Sequence, residues 1–132
     1  EKDNGQNENV IKRQLEKGLS LVEKLKSDKR QVKDKKSIPH STLHIPLIVA
    51  YEPVWAIGTG DPETPESAVE TIKFIKEILH PTFHIPHSTV LYGGSVNSEN
   101  LASYLKYKEV DGALVGGASL KKEEVKKMVE LI

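Results

Sequence analysis

Three short apolar runs constrain this 132-residue chain more than any other feature. They are Leu47-Ile48-Val49-Ala50-Tyr51, Thr89-Val90-Leu91-Tyr92 and Ala113-Leu114-Val115. None alternates strictly between apolar and polar residues, so each reads as a strand buried on both faces, as in a parallel sheet. Helical patterns separate them. Ile11, Leu15, Leu19, Val22 and Leu25 recur at spacings of four and three, which predicts a helix over about residues 9–26. Gly18 inside it costs about 1 kcal/mol relative to alanine, tolerable in a packed helix. Thr64-Pro65-Glu66 opens a second helix with a capping hydroxyl, a proline at the first helical position and an acid near the positive end. Val69, Ile72, Ile75, Ile78 and Leu79 form its apolar face, and His80-Pro81 is expected to end it. Ser98-Glu99-Asn100 opens a short helix carrying Leu101, Tyr104 and Leu105. Ser119 caps a last one, whose buried side is expected to be Leu120, Val125, Met128, Val129 and Ile132. Strands alternating with helices mean parallel βα units, an α/β fold. Three such strands cannot close a barrel, and their edges stay open.

Charge excludes several functions. Lys plus Arg number 19 and Asp plus Glu 19, without the basic excess of a dedicated nucleic-acid binder. No stretch approaches the roughly 20 apolar residues of a membrane span. There is no cysteine, hence no disulfide or thiolate chemistry. The basic residues gather in the first third, densest from Lys24 to Lys36. That run reads as a helix end passing into a charged surface insertion, residues 27–46. A polyanion patch is the weaker alternative, because no aromatics are interleaved. The segment Ile38-Pro39-His40-Ser41-Thr42 recurs as Ile85-Pro86-His87-Ser88-Thr89, a coincidence of loop composition. The first residue is Glu1 and the one methionine is Met128, so residues are expected to precede this chain.

Each strand ends in an unusual sequence. The first runs into Glu52-Pro53-Val54-Trp55-Ala56-Ile57-Gly58-Thr59-Gly60, the second into Gly93-Gly94-Ser95, the third into Gly116-Gly117-Ala118-Ser119. Ligands in parallel α/β folds sit at the carboxyl ends of strands. Glycines there let main-chain N–H groups approach an anion, and phosphate is the natural candidate. Glu52 follows an apolar strand and precedes proline. Partial desolvation would raise its pKa toward the range of a general base; a surface or salt-bridged structural glutamate is the alternative. Residues 53–60 are apolar yet lie in a loop between a proline and glycines, as a lid or an immobile packed loop would. His40, His44, His80, His84 and His87 are placed in loops at the opposite edge. Without a carboxylate or cysteine cluster, they read as exposed residues better than as a zinc site.

Three motifs carry a resemblance. Residues 50–60 (Ala50-Tyr51-Glu52-Pro53-Val54-Trp55-Ala56-Ile57-Gly58-Thr59-Gly60), Leu91-Tyr92-Gly93-Gly94-Ser95-Val96 and residues 110–120, with Val115-Gly116-Gly117-Ala118-Ser119 at their centre, are similar in sequence, order and spacing to the triosephosphate isomerase family. The segment Asn9 to Leu19 resembles the helix before that family's sixth strand. The resemblance implies a (β/α)8 TIM barrel of which residues 1–132 form the C-terminal part, helix 5 to helix 8 with strands 6–8. It implies that Glu52 is the catalytic base interconverting dihydroxyacetone phosphate and glyceraldehyde 3-phosphate, in glycolysis and gluconeogenesis, with no metal or organic cofactor. By the same resemblance Gly58, Ser95, Gly116 and Gly117 hold the substrate phosphate, and Leu114 packs near Glu52 and the substrate. Pro53, Val54, Trp55, Ala56, Ile57, Gly58, Thr59 and Gly60 form a closing lid, supported by Tyr92 and Ser95. A homodimer in the cytoplasm is the family expectation. The family's further Asn, Lys and His fall in motifs upstream of those present, so the piece alone also reads as a noncatalytic phosphate-binding or assembly half awaiting the N-terminal half of the barrel. Asp61-Pro62 after the lid departs from the family pattern.

Overall fold

The computed structural model describes residues 4–28, 47–83 and 88–132. The basic insertion from residue 29 onward, the first copy of the Ile-Pro-His-Ser-Thr segment and four of the histidines, His40, His44, His84 and His87, lie outside them. The chain divides into two compact units between residues 46 and 47. In the first, helix α1 runs Asn4–Asp28, longer at both ends than the apolar periodicity predicts. Leu19 is buried, and Ile11 and Leu15 are half-buried on the same face.

The second unit is βα-alternating: β1 (Ile48–Tyr51), α2 (Pro65–Phe83), β2 (Thr89–Tyr92), α3 (Leu101–Leu105), β3 (Gly112–Ala113) and α4 (Lys122–Val129). The strands form one parallel sheet in the order β1-β2-β3. Parallel pairing obliges each connection to cross back over a face of the sheet. Helix α2 packs on β2, and α3 packs on α2 and β3. Ala68, Val69, Ile72, Ile75 and Leu79 of α2 meet Val90, Tyr92, Leu101 and Tyr104 in the core. Full burial of one such aliphatic side chain contributes about 1.5–3 kcal/mol. The Tyr92 and Tyr104 rings stack at 4.3 Å, which adds roughly 0.5–1.5 kcal/mol.

The expectation of strands buried on both faces is corrected. In β1, Ile48 is 60% exposed and Ala50 is exposed, while Tyr51 is buried. In β2, Val90 and Tyr92 are buried and Thr89 and Leu91 half-buried. Side chains alternate across a sheet, so α2 and α3 cover one face and leave the other open among the described residues. The last helix departs similarly. Of its expected apolar side only Met128 is buried; Leu120 is 88% exposed and Ile132 91%.

Boundaries shift for local reasons. Helix α2 continues past Pro81 to Phe83, with His80 in its last turn rather than in a loop. Proline's fixed φ is itself helical and costs that turn one donor. β3 is one residue earlier and shorter than the apolar run 113–115. The expected Ser119 cap does not form. Asn97 Oδ1 accepts the N–H groups of Glu99 and Asn100 before α3, and Ser119 Oγ turns back to the Gly116 carbonyl.

One carboxylate ties the sheet to α2. Asp111 Oδ2 accepts the Val90 N–H at 2.7 Å and lies 2.7 Å from Lys76 Nζ. Asp111→Ala leaves a strand N–H and an ammonium without their acceptor. Urea denaturation is expected to show a loss of about 1–3 kcal/mol, with Lys76→Met, which keeps the Val90 bond, costing less.

Candidate active site

The strand register sets the centre of the site. Tyr51 pairs with Tyr92, and Tyr92 with Ala113. Two further ladder bonds, from Gly93 N–H to the Tyr51 carbonyl and from Leu114 N–H to the Tyr92 carbonyl, extend the alignment by one residue. Glu52, Gly93 and Leu114 therefore stand in a row at the carboxyl edge, on the face that Ile48 and Ala50 share. A Cβ at position 93 would lie 2.9 Å from Glu52 Cγ and 3.3 Å from Leu114 Cβ. Only glycine leaves the Glu52 side chain room to cross its neighbouring strand.

A cleft of about 490 Å³ opens over this row. Its walls include Glu52, Ile57, Gly58, Ser95, Leu114, Gly116 and Gly117. The structure thus brings together the proposed base and all four residues expected to hold an anion. Where a Cβ would stand at Gly58, Gly116 and Gly117 there is open space, so the main chain at these positions is approachable. Gly58 has φ +68°, a conformation glycine adopts without strain.

The segment after Glu52 is held down at two points. Pro53 and Ala56 are buried, and Val54–Ala56 form a single 3₁₀ turn. Ser95 Oγ donates to the Ala56 carbonyl at 2.7 Å and accepts the Gly60 N–H at 2.9 Å. Tyr92 Oη accepts the Glu63 N–H at 3.0 Å. Both anchors come from the end of β2. Ser95 holds its place with a left-handed φ of 49°, which costs a non-glycine residue about 1 kcal/mol or more. Asn100 Nδ2 supports that turn by donating to the Ser95 carbonyl. Gly94 is fixed by crowding: a Cβ there would lie 2.5 Å from Tyr92 Oη and 3.0 Å from Ala56 Cβ.

One expectation for the base is not met within this chain. Glu52 is exposed, so the described residues do not supply the desolvation its strand-end position suggests. The open sheet face explains this: the carboxylate projects from the side that no helix covers. Sequence reasoning also missed polar residues. Lys121 and Glu124 line the cleft. Glu124 Oε2 accepts the Ser98 N–H at 3.0 Å, and that bond holds its carboxyl below the usual range. Neither residue belongs to a strand-end motif, so only their placement after the 3₁₀ turn Gly117–Leu120 brings them near. Among the described residues no cluster of His, Cys, Asp or Glu could hold a metal ion, and no helix is long and apolar enough to cross a membrane.

The comparison with known families settles the lineage of this arrangement. The triosephosphate isomerase family model matches residues 1–132. The chain belongs to the triosephosphate isomerase family. It is 41% identical to the triosephosphate isomerase of Dictyoglomus turgidum over 124 residues, 92% of this chain and 43% of that protein. It is 50% identical to the enzyme of Aquifex aeolicus over 84 residues, 61% of this chain and 34% of that protein. With the enzyme of Mesomycoplasma hyorhinis it shares 48% over 85 residues, 64% of this chain and 33% of that protein. The chain spans less than half the length of these relatives. Membership of this isomerase family implies a (β/α)8 barrel, and the parallel three-stranded sheet with its helices is an α/β arrangement compatible with it.

The double anchoring by Ser95 is open to direct measurement. Ser95→Ala removes both bonds from the 53–60 segment, and exchange of the Gly60 amide is expected to quicken roughly tenfold. An unchanged exchange rate would show that Ser95 does not hold this segment.

Proposed function

We propose that the polypeptide carrying this chain is a triosephosphate isomerase, interconverting dihydroxyacetone phosphate and glyceraldehyde 3-phosphate by proton transfer through an enediolate. One observation carries the reading: the Glu52 carboxylate lies over Gly93 in the same cleft as the approachable main chain of Gly58, Gly116 and Gly117. A phosphate dianion held by the N–H groups of Gly58, Ser95, Gly116 and Gly117 places the substrate's carbon chain toward Glu52. Glu52 takes the proton from the hydroxyl-bearing carbon beside the carbonyl, the proton of that hydroxyl passes to the carbonyl oxygen, and the base returns its proton to the former carbonyl carbon, so that no proton is gained or lost overall. The reaction is an internal redox exchange and needs no metal or organic cofactor. Leu114, flanking Gly93 on the other side, gives the reacting carbons an apolar wall.

Residues 53–60 are the lid, and Tyr92 and Ser95 hold it shut. Closure excludes water, which strengthens a carboxylate base and keeps the enediolate from losing its phosphate. The three strands are strands 6–8 of an eight-stranded barrel, with helices 5–8. The uncovered face of Ile48, Ala50 and Glu52 looks inward, where the remaining βα units enclose it and supply the desolvation that Glu52 lacks in this chain. Barrels of this kind are packed inside by strand side chains, which fits apolar residues left open on that face. A homodimer in the cytoplasm completes the reading.

Replacing the base tests it. In the full-length polypeptide Glu52→Gln is expected to lower kcat by about 10² to 10⁴, the usual share of a positioned general base. Glu52→Asp, which withdraws the carboxylate by one methylene, is expected to fall between. Coupled assays that show parental turnover in both variants would remove Glu52 from the reaction.

A further inference from the structure

Glu63 is the one charged residue buried among the described residues, 8% exposed. It stands just beyond the lid, where the chain turns into α2, and none of the reaction steps uses its side chain. Its main chain is fixed on both sides: the N–H donates to Tyr92 Oη, and the carbonyl accepts from Tyr104 Oη. The side chain folds inward. Ser67 Oγ donates to Oε1 at 2.7 Å, and Oε2 is buried without a hydrogen-bond partner. The Tyr51 hydroxyl interacts with Thr71 and with Glu63; burial pushes it above its ordinary range, and the Glu63 charge adds to that.

A carboxylate in such a place is not explained by stability. Burying it costs desolvation, and half its accepting capacity goes unused; an apolar side chain of similar size would commonly fill the site better. Its location offers the alternative. Tyr51 directly precedes Glu52, and Glu63 follows the lid; both meet at Tyr92, whose hydroxyl accepts the Glu63 N–H and whose ring lies beside that of Tyr51, so the two ends of the 52–62 loop come together beneath it. The tyrosine rings make a stiff floor, with Tyr51 and Tyr92 at 6.3 Å and Tyr92 stacked on Tyr104.

We propose that the Glu63 side chain is a positioning residue that clamps the far end of the lid to the Tyr51 end, holding the segment closed and the strand end that carries Glu52 in line. This deepens the isomerase reading and rests on residues 53–60 being its lid. The clamp works by shape and by the hydrogen bond that Ser67 Oγ donates to Oε1, so the neutral isostere, which keeps a carbonyl oxygen there, preserves it. Glu63→Ala removes it. Glu63→Asp, whose shorter arm withdraws the carboxylate from Ser67, weakens it and stands in should the alanine variant fail to fold.

Two readouts separate a clamp from mere packing. Trp55 is the single tryptophan of these 132 residues and sits in the lid; with any tryptophan elsewhere in the full-length polypeptide replaced by phenylalanine in parent and variants alike, quenching by acrylamide reports the segment directly. Phosphate lost from the enediolate, counted per isomerisation, reports leakage during turnover and does not depend on how much protein is folded. In the full-length polypeptide, Glu63→Ala is expected to raise that leakage about tenfold and to expose Trp55, with Glu63→Gln restoring both. Unchanged leakage and unchanged quenching in the alanine or aspartate variant, whatever the melting temperature does, would overturn the proposal. If the parent shows no isomerase turnover, the isomerase reading fails by itself. Trp55 quenching then decides the clamp alone: greater exposure in Glu63→Ala supports it, and none refutes it.

Discussion

The register of three parallel strands is the constraint on which the site depends. Because Tyr51, Tyr92 and Ala113 pair across the sheet, the residues that follow them emerge side by side and on one face. A slip of one residue would turn Glu52 toward the helices and bring Gly93 out of its path. The ladder is short, four pairs and then two, so the register must be pinned from outside. Asp111 does this just ahead of the third strand, through the Val90 N–H and Lys76. Tyr92 does it from below, stacked on Tyr104 and bonded to Glu63.

Function on this edge comes from contrast between fixed and approachable backbone. Gly93 and Gly94 are crowded: one leaves room for the Glu52 side chain, the other for Tyr92 and Ala56. Gly58, Gly116 and Gly117 face open space. The same residue type thus serves opposite ends, close packing beneath the cleft and access for a ligand above it. Between the two sits Ser95, strained at φ 49° and bonded at both its donor and its acceptor. Strain is sustained where surrounding bonds over-determine the conformation, and those bonds here run to the segment that covers the cleft.

Much of this was legible in the residues themselves. The alternation of apolar runs with helical periodicity announced parallel βα units, and glycines at equivalent strand ends announced one shared face, because both depend on short-range pattern. The apparent double burial of Ile48 and Ala50 was not reliable, since an apolar run shows that a strand wants cover and not whether the cover lies within the same chain. The same holds for Leu120 and Ile132 on the last helix. The Asn97 turn ahead of α3 and the inward turn of Glu63 are not legible in the sequence for a different reason. Each is settled by a tertiary neighbour or a turn of one or two residues, below what periodicity resolves. Family resemblance suggests the proposed reaction, while the geometry gives reasons for Gly93, Gly94 and Ser95 that resemblance alone does not.

The central claim is that an anion seated on these main-chain amides lies opposite Glu52. Titrating the ¹⁵N-labelled full-length polypeptide with 2-phosphoglycolate tests it most directly. The amide resonances of Gly58, Ser95, Gly116 and Gly117 should move together and saturate at one ligand concentration. Saturable binding that leaves these four resonances in place while shifting others would contradict the account.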